Sequence, residues 1–407
     1  MKNDKTVVYI RNLLRFGIQI EKGEVINIQA PIESFEFIRK LVEEAYKMEA
    51  KYVGVEYYDH SVENIRLKYS NEENLEYYPK SSVDYKIAQA YEKQTILKFS
   101  SGVNLDKEEF KKQNNIVKKS LSNSMFPYTV VKRKKLFKSC SSVIPTKAWA
   151  KQVYEDLSEE EALNKLWEHM FDICKCNEEN PSEAFLKNIN SIVERRDFLN
   201  NNNFDKLHFY NDNVDLNVKL AKNHFFSGIQ EKTVENVYSM PNYPTEEIFT
   251  ANDKFGVNGY INASLPVVIN DNLVYGIRLE FKDGKLINYT ATKGYEHLLD
   301  YVNKDEGNLY VGEIAILQGL TSVKKQNIVF KNTLLDENAG CHLALGYAYP
   351  ISLKEKIDFN KETYEKHNLN FSMYHCDITF GSEDINVDAY DINNKKTPLI
   401  SNGVWQI

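Results

Sequence analysis

The 407-residue chain is most informative first through what it lacks. Its five cysteines (Cys140, Cys174, Cys176, Cys341 and Cys376) are an odd number with no C-x-x-C pair. That argues against a disulfide framework or a thiolate zinc site, and it fits a reducing compartment. No stretch approaches the roughly 20 apolar residues that a membrane span needs. The opening MKNDKTVVYIRNLLRFG carries charges inside its apolar run, unlike a signal peptide, so a cytoplasmic location is expected. No G-x-G-x-x-G follows an early strand and no G-x-x-x-x-G-K-[ST] occurs, which removes the usual nucleotide readings. The net charge of −7 offers no basic surface for nucleic acid, and the short run KRKK at 132–135 reads as solvated. There is no internal repeat and no low-complexity tract.

What is present points to a globular protein. A hydrophobic fraction of 42% with 12% aromatics is ample for buried cores, and the length favours two domains. Residues 24–30 (EVINIQA) read as a strand. Pro31 then opens a helix with apolar positions Phe35, Ile38, Leu41, Val42 and Ala45, and 52–57 (YVGVEY) reads as the next strand. This β-α-β unit implies parallel strands with a right-handed crossover. A second round follows, with a helix around 83–91, a strand at 96–99 and a charged helix from Lys107 to about Leu121. Ser158 and Glu161 form a capping box for a helix toward Cys174, and a second helix covers 181–198. The asparagine run at 200–203 marks a loop and a boundary. Beyond it the pattern turns to alternating strands, with KDGK at 282–285 as a hairpin signal between 274–281 and 286–291. The expected fold class is α/β, with an N-terminal β-α-β lobe (1–205) followed by a β-rich α+β catalytic domain (206–407).

Four patches in the second half combine carboxylates or histidines with apolar flanks: PTEEIFTAND (244–253), VGEIAIL (311–317), DENAGCHLALGYAY (336–349) and YHCDITFG (374–381). With 338–349 taken as a helix, His342 and Tyr349 lie about 700° of rotation apart and share a face. Glu337 precedes that helix, where the dipole favours a carboxylate. The plainer alternative makes Glu337 a cap and His342 a satisfied core residue. On a strand, His375 and Asp377 project together while Cys376 faces away; their plainer reading is a hydrogen-bonded surface pair. Glu313 lies in an apolar run, where a charge is costly unless it is paired or ligates a metal. Glu246 and Glu247 are strand neighbours that should diverge, so at most one reaches a common site. Four carboxylates (Glu247, Glu313, Glu337, Asp377) and two imidazoles (His342, His375) suit a pair of divalent ions such as Zn²⁺, Co²⁺ or Mn²⁺. Two such ions polarise a scissile carbonyl and activate a water, and a phenol such as Tyr349 can stabilise the oxyanion. The residues by themselves reach a two-metal hydrolase and no substrate. An amidase or a phosphoester hydrolase stays open at this point, although the acidic balance supplies no phosphate clamp.

At these patches the sequence resembles the dinuclear metalloaminopeptidases typified by aminopeptidase T, aminopeptidase S and peptidase S. The resemblance extends to 17–59, to LSEEEALNKLWEHMF (157–171) and to HFFSGI (224–229), and so covers nearly the whole chain. It implies a leucyl- or broad-specificity aminopeptidase acting on peptides with a free N-terminus through two divalent metal ions (Zn, Co, Mn or Mg), and a homodimer. Carried over by position, Glu247, Glu313, Glu337, His342, His375 and Asp377 match metal ligands. Glu313 matches the residue that bridges both ions, and Tyr349 the catalytic tyrosine. Between the two neighbours, Glu247 fits the family spacing, which leaves Glu246 as a structural residue or a general base. Two departures stand out: Gly340 where alanine is commoner, expected to cost helix stability, and Asn252 in place of a proline. His224 is the one remaining histidine to examine for contact with the site. The competing reading is an idle relative that keeps the fold as a peptide-binding or scaffold protein.

Overall fold

The structure, a computed structural model, describes residues 4–102 and 109–407. The chain forms two compact units that alternate along the sequence: Met1–Phe185 with Gln230–Pro244, and Leu186–Ile229 with Thr245–Ile407. The division drawn from the sequence, 1–205 and 206–407, is continuous, whereas here the segment Gln230–Pro244 returns to the first unit.

The first unit is built on a five-stranded parallel sheet ordered Tyr52–Tyr58, Val25–Pro31, Thr95–Ser100, Ser139–Val143, Asn242–Tyr243. The first two strands and the helix Phe35–Lys47 between them are the β-α-β unit expected from the apolar spacing. One sheet face is dry: Ile28, Ala30, Leu97 and Phe99 are fully buried. An aromatic cluster adds to this core, with Phe37 packed against Tyr9, Phe99 and Trp167 at centroid distances of 5.9, 5.6 and 5.6 Å. Ser158 and Glu161 do form a capping box on the helix Glu159–Ile173. The charged helix expected over 107–121 runs Lys111–Arg133, and its expected start at Lys107 lies outside the described residues.

The helix Pro181–Asn201 runs past the expected stop at 198 and into the asparagine run. Asn200 explains the extension: its side chain accepts the Phe226 N–H at 2.8 Å and donates to the Phe226 carbonyl at 2.9 Å. Tertiary pairing overrides the loop preference of asparagine there.

The second unit carries an eight-stranded antiparallel sheet and a separate four-stranded one. The KDGK hairpin joins Arg278–Lys282 to Lys285–Thr290 in the larger sheet, with Asp283 and Gly284 both at positive φ as a two-residue turn requires. The smaller sheet is ordered Ile248–Thr250, Val311–Ile316, His342–Gly346, His375–Thr379, all antiparallel neighbours. Its central strands are buried along their whole length, and it positions the site.

Candidate functional site

Residues 338–349 are not a helix. Glu337–Ala339 make one 3-10 turn, His342–Gly346 form a strand, and Tyr349 follows it before the turn Pro350–Ser352. The segment misleads because a strand buried on both faces has no alternation, so its apolar run reads equally well as a core helix. Gly340 also changes meaning. It is extended rather than helical, and a Cβ there would come within 2.8 Å of the Gly381 carbonyl oxygen. It permits a close backbone crossing instead of weakening a helix.

The site residues converge through cross-strand register. Glu313 pairs with Ala344, which pairs with Asp377; Phe249, Ala315, His342 and Thr379 form the adjacent row. Directly paired residues share a face, as do residues two apart, so Glu313, His342, His375 and Asp377 all project from one side of the sheet. Glu247 stands two residues before Phe249. Its backbone is packed against Gly228, where φ is +124° and a Cβ would lie 2.3 Å from the Glu247 carbonyl oxygen.

Two groups result. His342 Nε2 lies 3.3 Å from Glu247 Oε2 and 3.9 Å from Glu313 Oε1. His375 Nε2 lies 3.2 Å from Asp377 Oδ1. Ligand-capable atoms of Glu247, Glu313 and His342 all fall within 4.8 Å of one another, and so do those of Glu313, His375 and Asp377. Glu313 belongs to both groups. Glu337 belongs to neither, although it is buried and feels the charges of Glu247, Asp377 and Glu313. Both imidazoles are oriented from behind: His375 Nδ1 faces the Tyr347 carbonyl at 3.0 Å, and His342 Nδ1 faces the Gly340 carbonyl at 3.3 Å. That arrangement leaves each Nε2 for the site. Tyr349 is half-buried and meets the His375 ring edge-to-face at 4.9 Å.

The electrostatics are those of a site built for added positive charge. Burial, and then Asp377 and Glu247, push the Glu313 carboxyl well above the usual carboxylate range. Burial and the surrounding carboxylates do the same to Glu337. Burial works against the His342 imidazolium, yet Glu247 and Asp377 outweigh it and the pKa is raised. Burial raises Asp377, but the adjacent His375 outweighs it and the pKa is lowered. Glu313 Oε2 and His342 Nε2 are buried without an aligned hydrogen-bond partner. Buried orphan polar atoms on opposing acid and imidazole groups are the donor set of a divalent cation, so the residues fit a metal.

Other expectations resolve individually. The Glu246 carboxylate accepts the Ser322 N–H at 3.2 and 3.3 Å. His224 bonds the Ala221 carbonyl and lines a cavity of about 510 Å³ that none of the predicted site residues borders. His60, His169, His208, His297 and His367 pair locally with Glu63, Tyr154, Asp215, Glu296 and Glu355. Asn252 is fully buried and donates to the Val311 carbonyl at 3.1 Å, a bond that a proline could not make. Two polar residues beside this cluster, Thr245 and Asn338, escape sequence reasoning because such residues in turns read as local turn formers.

A one-sided cluster of carboxylates and imidazoles on a buried sheet is the donor set of a metal-dependent protein. Comparison with known proteins agrees with a metal-dependent hydrolase. Residues 3–405 match the family model described as thermophilic metalloprotease (M29). Aminopeptidase 2 of Geobacillus stearothermophilus is 32% identical over 402 residues, covering 98% of this chain and 96% of its own. Aminopeptidase T of Thermus thermophilus is 32% identical over 396 residues, with 97% and 96% covered. The solved structure of wild-type AmpT from Thermus thermophilus superposes with a TM-score of 0.92 at 30% identity, covering 99% of both chains. The chain belongs to the M29 thermophilic metalloprotease family and is a metal-dependent aminopeptidase.

Proposed function

We propose that the second half of the chain, 206–407, removes N-terminal residues, leucyl or of broad type, from peptides with a free amino end. Glu247, Glu313, Glu337, His342, His375 and Asp377 would hold two divalent ions, of Zn, Co, Mn or Mg, with Glu313 shared between them. When bound, such ions supply Lewis acidity, polarising the scissile carbonyl and lowering the pKa of a water. The chain's own residues supply the rest. The buried walls around Glu313 and His342 exclude bulk water, which strengthens every electrostatic term inside. The carbonyls behind His342 and His375 fix their ring orientation. Tyr349, whose ring meets that of His375, would donate a hydrogen bond from its phenol to a developing oxyanion.

The observation that carries this reading is Glu313. It stands in both ligand groups and is buried with Oε2 unpartnered, as a bridging ligand awaiting cations would be. Five buried, free cysteines support a reducing, cytoplasmic setting, and a homodimer is proposed from the resemblance stated above. The test is hydrolysis of an N-terminal leucyl amide by purified protein, with added Co²⁺ or Zn²⁺ and after chelation. Activity should appear with metal, vanish with chelator and return on reloading. Metal-loaded protein without activity on any free-amine peptide in a panel would overturn the proposal in favour of an idle relative.

A further inference from the structure

The turn bearing Glu337, through Asp336 just before it and its own Asn338, is tied to one outer strand of the site sheet and to the segment that leads into the other. On one side, Thr379, on the strand that carries His375 and Asp377, donates its hydroxyl to the Asp336 carbonyl at 3.1 Å. On the other, Asn338 is 1% exposed and its Oδ1 accepts the Glu246 N–H at 2.7 Å and the Thr245 hydroxyl at 3.2 Å. Asn338 Nδ2 donates to the Leu334 carbonyl at 2.9 Å, which fixes which end of the amide is oxygen. The Thr245 hydroxyl in turn accepts the Glu247 N–H at 3.3 Å. A continuous relay therefore runs from the backbone of Glu247, through Thr245, to the side chain next to Glu337.

We propose that Thr245 and Asn338 are positioning residues that hold the Glu247 and Glu337 carboxylates at metal-binding separation against their mutual repulsion. This rests on the reading that these carboxylates are ligands. Without the relay, two like charges on separate chain segments can move apart, and the cost of bringing them back falls on every metal-binding event. Outer-shell partners that orient ligands change metal affinity by about 10- to 100-fold when removed.

The experiment titrates chelator-stripped, full-length protein with Co²⁺ against a competing indicator, following the cobalt absorption spectrum, well below the melting temperature of each variant. Asn338→Ala should bind Co²⁺ about 10- to 100-fold more weakly. Thr245→Val, which swaps hydroxyl for methyl at nearly constant volume, should weaken binding by roughly 10-fold. Thr245→Ser, which keeps the hydroxyl, should restore affinity and spectrum. A merely structural role would lower the melting temperature of Thr245→Val and leave its affinity and spectrum as in the wild type. Affinities of both Thr245→Val and Asn338→Ala within twofold of wild type would overturn the relay. If Asn338→Ala does not fold, the Thr245 pair decides alone. Wild-type protein that takes up no Co²⁺ would instead overturn the underlying ligand assignment.

Discussion

Both units enclose glutamates, and Glu24 of the first and Glu313 of the second are handled in opposite ways. In the first unit, Glu24 lies 2.7 Å from Lys138 Nζ, with side chains 11% and 7% exposed, and it also accepts the Thr95 hydroxyl. Lys138 additionally donates to the Gln19 carbonyl at 2.9 Å. Its charge is neutralised by the protein itself. In the second unit, Glu313 is more deeply buried, faces other carboxylates and an imidazole, and keeps Oε2 without a partner. A buried charge is tolerated only when paired. The first unit completes its pair within the chain; in the second, the proposed cations would complete it.

Replacing each acid should break this contrast in opposite directions. Glu313→Gln should lower kcat/KM by about 10³-fold or more, the scale of losing a principal electrostatic element of a site. It should also raise the melting temperature of the metal-free protein, because a carboxyl disfavoured by burial and by its acidic neighbours is removed. A fall in metal-free stability would mean that Glu313 is internally paired after all. Tyr349→Phe is expected to cost about 10²-fold in kcat with Co²⁺ affinity unchanged; equal loss of metal would make the phenol structural. Glu24→Gln, by contrast, should leave the kinetics of the folded enzyme intact and destabilise it by about 3 kcal/mol, since Lys138 stays buried without its counter-charge. Chemical denaturation read at the first unit's tryptophans measures this.

The smallest effect expected is on pH dependence. In the metal-free protein the Glu313 and Glu337 carboxyls are raised by burial and by neighbouring carboxylates. The folded state therefore keeps protons that an unfolded glutamate releases near about pH 4.3, so stability falls as pH rises through that value toward the raised folded values. Metal affinity moves the other way, because the ligands must be ionised. The gap in melting temperature between loaded and metal-free protein should widen by a few degrees from about pH 5.5 to about pH 8. A constant gap would separate the raised carboxyls from metal binding.

Legibility in the sequence followed pattern strength. The β-α-β opening, the capping box and the KDGK hairpin were readable because each rests on local chemistry: helical spacing in 35–45, the Ser158 to Glu161 exchange, and a turn needing positive φ at Asp283 and Gly284. The acids and histidines that converge on one side of the smaller sheet were readable because such residues in apolar runs are costly without a purpose. How they meet was not. Helical spacing puts His342 and Tyr349 on one face with Glu337 just before it, whereas His342 reaches the site by register with Ala315 and Thr379 across three strands. Register is a long-range property, and a fully buried strand carries no period to announce it. Thr245 and Asn338 were invisible for a related reason, since their roles lie in partners about 90 residues away along the chain.

The central claim is that cations complete the charge balance around Glu313. It is tested most directly by anomalous difference density from crystals of the Co²⁺-loaded protein, recorded at the cobalt edge. The account predicts two peaks, both in contact with Glu313, one beside Glu247 and His342 and the other beside His375 and Asp377. Ordered crystals with no peak at Glu313, or with cobalt bound only elsewhere, would contradict it.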